Sequence, residues 1–133
     1  MTDTSQTPAA ESSLRLFAIV SYVLLLLGCS NGLTAIVAVV LATIKRGEAR
    51  GTIYQSHFSN IITVFWVGAV LVALLIAAAG AGAIVLLSAN PPQDIAPTVG
   101  IAIVVYGVMV LFAVWYLYRT IKGLVRALDG KAY

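Results

Sequence analysis

Charged residues are scarce in this sequence, and the stretches that lack them are long. Asp, Glu, Lys and Arg together make up 10% of the 133 residues, and none occurs in residues 16–44, 51–93 or 95–118. An unpaired charge is costly inside a lipid bilayer, so long apolar stretches bounded by charges are typical of membrane segments. With 61% apolar residues and a mean hydropathy of +1.01, the composition indicates an integral membrane protein.

Residue types that carry catalysis or bind metals are also rare. The single cysteine, Cys29, excludes an intramolecular disulfide and a multi-cysteine metal site. The single histidine, His57, has no carboxylate in its segment with which to build a triad or a metal centre. Asp94 and Asp129 are isolated and cannot form an acid–base pair. We therefore expect no enzymatic activity, no cofactor and no metal; a lipid-modifying enzyme would need a carboxylate or histidine cluster.

The basic residues point to lipid rather than to nucleic acid. A net charge of +3 is too small to suggest a nucleic-acid partner, and the basic residues lie beside apolar segments. Lipid phosphates at the membrane surface are therefore the expected partners. The predicted headgroup contacts are Lys45, Arg46, Arg50, Arg119, Lys122 and Arg126.

The apolar pattern predicts an all-α, polytopic membrane protein with four membrane helices. We expect a short N-terminal helical hairpin, two full spans, and amphipathic interfacial segments before the third helix and after the fourth. Residues 1–13 are polar and predicted to be a disordered cytoplasmic tail, and residues 14–133 to be a single helical domain. The predicted helices cover about 14–27, 33–44, 52–88 and 95–118, followed by an interfacial helix at 119–129.

The first half of the third helix is amphipathic and contains the candidate interfacial contacts. On a helical wheel its polar residues share one arc, and the segment ends at Phe65-Trp66, an aromatic pair typical of a membrane interface. Gln55 and Asn60 lie within the polar arc, whereas His57 lies outside it and is expected to face protein. His57 then either bonds a backbone carbonyl or lipid phosphate, or forms a pH-sensitive contact with a partner.

The positive charges predict an orientation. Lys and Arg occur in the loop after the second helix and in the C-terminal segment, whereas residues 90–97 carry none. The positive-inside rule places the basic loop and the C-terminus in the cytoplasm and residues 90–97 outside. The charge pattern therefore predicts a multi-pass membrane protein.

The stretch "LLLLGCSNGL" (24–33) has three interpretations. As a lipoprotein signal it would make Cys29 an acylated residue, but the leader is long and acidic, and another apolar segment follows it. As one kinked span it would place a helix break inside hydrocarbon, where freed backbone groups need protein partners. As a hairpin, which we favour, it would turn at residues 28–32 near the outer surface.

Small residues recur along the last two helices. Four alanines follow an i, i+4 ridge in the third helix, and two glycines lie seven residues apart in the fourth. Such residues let membrane helices approach closely, either within the chain or at an interface with a partner or a second copy. The predicted helix-packing residues are Ala69, Ala73, Ala77, Ala81, Gly100 and Gly107.

Two stretches of the sequence resemble a known protein family. They are "GLTAIVAVVLATIKRGEARGTIYQSHFSNIITVFW" (32–66) and "YRTIKGLVRALDGKAY" (118–133). They are similar to a family of small, uncharacterised bacterial inner-membrane proteins, a domain of unknown function distantly similar to the four-helix component of the chloroplast inner-envelope protein import machinery. The most specific motifs are Thr34-Ala35-Ile36, Lys45-Arg46, Ser56-His57-Phe58, Phe65-Trp66, and Arg119 with Lys122-Gly123.

The resemblance implies four membrane helices with both termini inside, and it supplies no catalytic residues. Ser59 and Thr63 stand where relatives often carry arginine, so anion binding by this segment is not implied. We expect a non-enzymatic inner-membrane protein that acts as an accessory, assembly or scaffold subunit. The alternative is a homo-oligomeric channel or translocation component.

Overall fold

Four α-helices make up the described part of the chain. The computed structural model describes residues 7–88 and 96–133, with side chains for all of these except 85–88 and 96–98. No strand occurs in these ranges, so the prediction of an all-α fold is confirmed for them. The helices are α1 (Pro8–Asn31), α2 (Leu33–Glu48), α3 (Tyr54–Ser88) and α4 (Ala96–Leu128). The predicted outer loop with Asn90, Pro91, Pro92 and Asp94 lies outside the described residues.

Helix α1 begins earlier than the apolar pattern predicts. Its first residue is Pro8 rather than Leu14, because proline suits the first turn of a helix and Glu11 favours the positive end of the helix dipole. The hydroxyls of Ser12 and Ser13 donate to carbonyls three residues earlier, at 2.9 and 2.7 Å, so both residues lie within the helix. Part of the predicted disordered tail (8–13) is thus helical, and residues 1–6 lie outside the described range.

Helices α1 and α2 form a hairpin. Gly32 joins them with a φ of 69°, a left-handed conformation that glycine adopts without steric cost. The close approach of the helices is made possible by Gly28, where an added Cβ would lie 2.5 Å from the Cβ of Ala35. At the other end of the pair, the Lys45 ammonium lies 4.8 Å from the centre of the Phe17 ring. Since α2 runs back along α1, these residues do not form one kinked helix.

The remaining helix ends differ from the predictions by a few residues, and one predicted helix is not separate. Helix α2 extends to Glu48 rather than residue 44, and α3 begins at Tyr54 rather than residue 52. The predicted interfacial helix at 119–129 is the continuation of α4, because no breaker separates it from the preceding span. Helix α4 ends in a Schellman motif at Gly130, whose φ is 66°, with the Lys131 amide donating to the Arg126 carbonyl at 2.9 Å.

The chain divides into two compact units. Unit 1 comprises Met1–Trp66 and Leu117–Tyr133, and unit 2 comprises Val67–Tyr116. In unit 2, α3 and α4 meet at Gly68, where an added Cβ would lie 3.3 Å from the Phe112 ring. The core lies in unit 1, and its buried apolar residues include Leu14, Ala18, Tyr22, Leu25, Ala38, Val39, Ala42, Tyr54, Phe58, Ile61, Val64 and Ala127.

Within the described residues, three segments are long and apolar enough to cross a membrane: Pro8–Asn31, Tyr54–Ile84 and Val99–Leu128. The prediction of four membrane helices is therefore supported for three. Helix α2 has 16 residues. At about 1.5 Å per residue it spans roughly 24 Å, less than the hydrocarbon core of about 30 Å. Helix α1 reaches spanning length because it is longer at both ends than predicted.

We predict that Gly28→Ala destabilises the hairpin. The new methyl would overlap Ala35, and overpacking of this kind costs about 1–3 kcal/mol. The matched control is Gly47→Ala, also within a helix, where an added Cβ meets nothing within 4 Å. Removing that exposed helical glycine should stabilise the protein by about 0.5–1 kcal/mol. Thermal unfolding of both variants in one detergent, followed by circular dichroism, checks the prediction; equal rises in Tm would contradict it.

Candidate functional site

A buried polar cluster lies in unit 1, between α1, α3 and the residues that follow α4. Its central residue is His57, which is fully buried, and Asn60 on the same helix is 3% exposed. Tyr22 of α1 is fully buried against them. Buried polar groups are costly unless they are hydrogen-bonded, so the bonds of this cluster determine how the three chain segments fit together.

The hydrogen bonds of His57 define its tautomer. Its Nε2 lies 2.7 Å from the carbonyl oxygen of Lys131, which can only accept, so Nε2 carries a hydrogen and donates. In the neutral ring, Nδ1 is then an acceptor, and the Tyr22 hydroxyl lies 3.3 Å from it. A second acceptor for this hydroxyl, the backbone carbonyl of His57, lies at 3.4 Å. The single histidine therefore links α1 to the segment after α4.

Asn60 extends the network by one bond. Its Nδ2 donates to the Tyr22 oxygen at 3.1 Å, so the tyrosine accepts from α3 while it donates to His57. Asn60 Oδ1 and Ser21 Oγ are buried and have no hydrogen-bond partner among the described residues. In this series each group donates to the next: Asn60 to Tyr22, Tyr22 to His57, and His57 to the Lys131 carbonyl. Each group therefore depends on the next one for its hydrogen bond.

Three tyrosine rings surround the imidazole, and one glycine lies against the ring of Tyr22. Its centre lies 5.8 Å from the Tyr22 ring in an edge-to-face arrangement, and 6.1 and 6.3 Å from the rings of Tyr54 and Tyr133. On α4, Gly123 lies against Tyr22 so closely that an added Cβ would overlap the phenol. The glycine thus lets α4 approach the polar cluster, and a larger residue would displace the tyrosine.

Local helix geometry explains why these residues share one side. The buried positions of α3 follow the spacing 54, 57/58, 60/61 and 64, one face of a 3.6-residue period. His57 and Asn60 both lie on that face, although only His57 was expected to lie away from water. Gln55 lies on another face and is half-buried; its Oε1 accepts from the Gly51 amide at 3.2 Å. Gln55 is thus a local contact at the start of α3, outside the cluster.

An open cleft of about 350 Å³ lies beside the cluster, at the beginning of α3. Four of its six lining residues carry a hydroxyl or amide group, and none carries a formal charge. The cleft therefore offers hydrogen bonds rather than a charged binding site. The lining residues are Thr52, Ile53, Gln55, Ser56, Ser59 and Ala132.

The C-terminal segment, residues 129–133, is docked against α3 and α4 by its backbone and its last side chain. The Tyr133 amide donates to Ser56 Oγ at 2.9 Å, and Arg126 donates to the Ala132 carbonyl at 3.1 Å. Arg119 Nε donates to the Tyr133 hydroxyl at 2.9 Å. Together with the His57–Lys131 bond, these contacts hold the segment over the polar cluster.

The predicted headgroup residues fall into two groups within unit 1. At the end of α2, Lys45 bonds Glu48 at 2.6 Å, whereas Arg46 and Arg50 are exposed. On α4, Arg119 and Lys122 are half-buried and Arg126 is exposed. A further basic residue that was not among the predicted contacts, Arg15, donates to the carbonyl of Leu128 and joins α1 to α4.

The predicted helix-packing residues belong to unit 2. Ala69 is half-buried, whereas the next three alanines of the ridge, Ala73, Ala77 and Ala81, are exposed in the single chain. Gly100 and Gly107 are exposed as well, and an added Cβ at either meets nothing within 4 Å. Most of this small-residue surface is therefore uncovered by the described residues of the chain.

The sequence patterns do not predict three residues of the site: Tyr22, Gly123 and Tyr133. A weak signal for Tyr22 exists, since it and Ser21 are the only polar side chains in residues 16–27. No signal pairs Tyr22 with Gly123, because their contact depends on how α1 and α4 pack. Among the described residues, no three His, Cys, Asp or Glu side chains come together as a metal site would require.

Comparisons with known proteins found no similar protein. The chain matches no family model, no curated protein and no solved structure. The role of the site is therefore inferred from its geometry. That geometry is a neutral, directional hydrogen-bond network that fixes α1, α3 and residues 129–133 relative to one another.

We predict that Tyr22→Phe destabilises the protein by about 1–3 kcal/mol, because it leaves buried groups of His57 and Asn60 without their partner. Tyr106→Phe is the matched control, since Tyr106 is 70% exposed and should tolerate the change within about 0.5 kcal/mol. Thermal unfolding in detergent measures both. Equal stability of the two variants would show that the Tyr22 hydroxyl is not essential to the cluster.

Proposed function

We propose that this protein is a non-enzymatic subunit of a bacterial inner membrane, where it acts in assembly or as a scaffold through contacts with other helices and with lipid. The bacterial inner membrane is suggested by the family resemblance of residues 32–66 and 118–133. The scaffold role is supported mainly by the uncovered apolar surface of α3 and α4.

That apolar surface is too extensive for a protein surrounded by water. In the most apolar part of Tyr54–Ile84, 11% of the residues are buried, and in that of Val99–Leu128 none is. Contiguous exposed apolar surface of this size marks contact with a membrane or with a partner. Exposed large side chains of unit 2 include Val70, Val72, Leu74, Ile76, Ile84, Ile101, Ile103, Val104, Tyr106, Leu111 and Val114.

The exposed alanine ridge supports a helix partner in addition to lipid. Lipid provides no hydrophobic driving force for association, so membrane helices associate through close packing at small residues. Ala73, Ala77 and Ala81 offer such a surface on one side of α3, where the described chain leaves it uncovered. A partner helix, from another subunit or a second copy, could approach the backbone here.

Membrane insertion and orientation can be tested with the exposed Cys29. We expect the wild-type protein to stay in the membrane fraction after an alkaline carbonate wash. In spheroplasts, an impermeant maleimide should label Cys29, which lies at the predicted outer turn. A Cys29→Ser, Ala9→Cys variant moves the thiol to an exposed position near the N-terminus and should react only after permeabilisation. The reverse labelling pattern would contradict the proposed orientation.

The scaffold role predicts a stable membrane complex that depends on the alanine ridge. Ala73→Leu combined with Ala77→Leu should abolish co-purification of that complex, because bulky side chains prevent close approach of a helix. Ala79→Leu, the same change at an exposed alanine on the other side of α3, is the control and should leave the complex intact.

The channel alternative makes the opposite prediction. Purified protein in liposomes would then conduct ions without any partner. Ion flux from the protein alone, together with the absence of a complex, would overturn the scaffold proposal.

A further inference from the structure

Two basic residues of α4 lie within cation–π distance of the same aromatic ring. The Arg119 guanidinium lies 5.4 Å from the centre of the Tyr133 ring, and the Lys122 ammonium lies 5.7 Å from it. The ammonium also lies 5.6 Å from the Tyr118 ring. Residues three apart project from the same side of a helix, so the two positive charges are close neighbours and repel each other. Cation–π attraction to the tyrosines offsets part of that repulsion.

The Tyr133 ring, which lies close to both cations, is held in place by the fold. The Schellman motif at Gly130 turns the chain back, and the Tyr133 amide then donates to Ser56 Oγ at 2.9 Å. At the other end of the side chain, the hydroxyl accepts from Arg119 Nε at 2.9 Å. Tyr133 is thus attached to both α3 and α4, and its ring orders the two cations before any ligand arrives.

The ammonium of Lys122 lies over aromatic rings rather than beside a carboxylate. Two ion pairs of unit 1 join other residues, Lys45 to Glu48 at 2.6 Å and Lys131 to Asp129 at 3.6 Å. Lys122 therefore keeps a positive charge that an anionic group can match, next to Arg119 on the same side of α4.

The position of the pair identifies the source of that anion. Arg119 is the first charged residue after the uncharged stretch 95–118, the level at which a membrane helix meets the headgroups. Exposed apolar side chains adjoin Lys122 on the same side of α4: Tyr118, four residues earlier, is 61% exposed, and Val125, three residues later, is 49% exposed. A phosphate with attached acyl chains can contact both the cations and these side chains, whereas free phosphate can contact only the cations.

We propose that Arg119, Lys122 and Tyr133 form a binding site for the phosphate of an anionic phospholipid. Both cations contact the phosphate, and the tyrosine is a positioning residue that keeps them together. Phosphatidylcholine is disfavoured because its choline group carries a positive charge toward the same pair. This inference rests on the proposed function in one respect, since it requires the chain to reside in a bilayer.

The test measures which lipid remains bound to the protein. Wild type is reconstituted into nanodiscs with equal amounts of phosphatidylglycerol and phosphatidylcholine, released, and examined by native mass spectrometry. We expect retained phosphatidylglycerol to predominate. Arg119→Gln and Lys122→Gln should each lower its preference roughly fivefold, the effect of removing one basic residue at a membrane surface.

The matched control removes the same charge from another place. Lys131→Gln removes a positive charge whose side chain is 71% exposed and which is not among the predicted headgroup contacts, and it should leave the preference near the wild-type value. A loss as large as that of Arg119→Gln and Lys122→Gln would show that diffuse charge attracts the lipid, and would overturn the site.

Tyrosine variants test the ring at constant charge. Tyr133→Leu should reduce the preference as far as the loss of one cation does, whereas Tyr133→Phe, which keeps the ring, should retain most of it. A wild-type preference in Tyr133→Leu would overturn the positioning role. Helix content and Tm measured on the same samples separate this effect from unfolding.

Two further outcomes separate the sources of failure. Displacement of the retained lipid by millimolar inorganic phosphate would show that the pair is a site for free phosphate, and would overturn the lipid assignment. A protein that enters nanodiscs but shows no preference for phosphatidylglycerol overturns this inference alone. Failure of the wild type to enter nanodiscs overturns the proposed function and this inference together.

Discussion

The hydrogen bond from His57 to the Lys131 carbonyl is the contact on which the arrangement of unit 1 depends. It joins residues 74 positions apart at a bond length of 2.7 Å, and the His57 side chain is fully buried. A buried imidazole must satisfy both nitrogens, so this bond also requires Tyr22 on the opposite side. One histidine therefore determines where α1 and the residues after α4 lie against α3.

The two units of the chain face their surroundings differently. Unit 1 has a core of apolar residues around a polar cluster, whereas much of unit 2 is apolar helix surface that the described chain leaves exposed. In a membrane, burial of apolar surface gives little reason for helices to associate, and directional polar contacts and close packing take its place. The described contacts of unit 1 thus hold its own structure together, and the exposed surface of unit 2 is the one to which the proposed scaffold role assigns a partner.

Residues 129–133 connect the polar cluster to the basic surface of α4. Their backbone supplies the acceptor for His57, while the side chain of Tyr133 lies between Arg119 and Lys122. The backbone acceptor for His57 and the ring beside the two cations are therefore only two residues apart in the chain. The Schellman turn at Gly130 makes this possible, because it reverses the chain at the point where α4 ends.

Local pattern and backbone freedom are enough to predict the helical class, the apolar segments and a turn within residues 28–32. The same pattern placed His57 on a face turned away from water. Tertiary structure alone establishes that Tyr22 bonds His57 and Asn60, which lie 35 and 38 residues away, and that Gly123 makes room for its ring. It likewise decided that α4 continues through residue 119 as one helix. Such pairings depend on how whole helices pack, and no periodicity within a single segment records them.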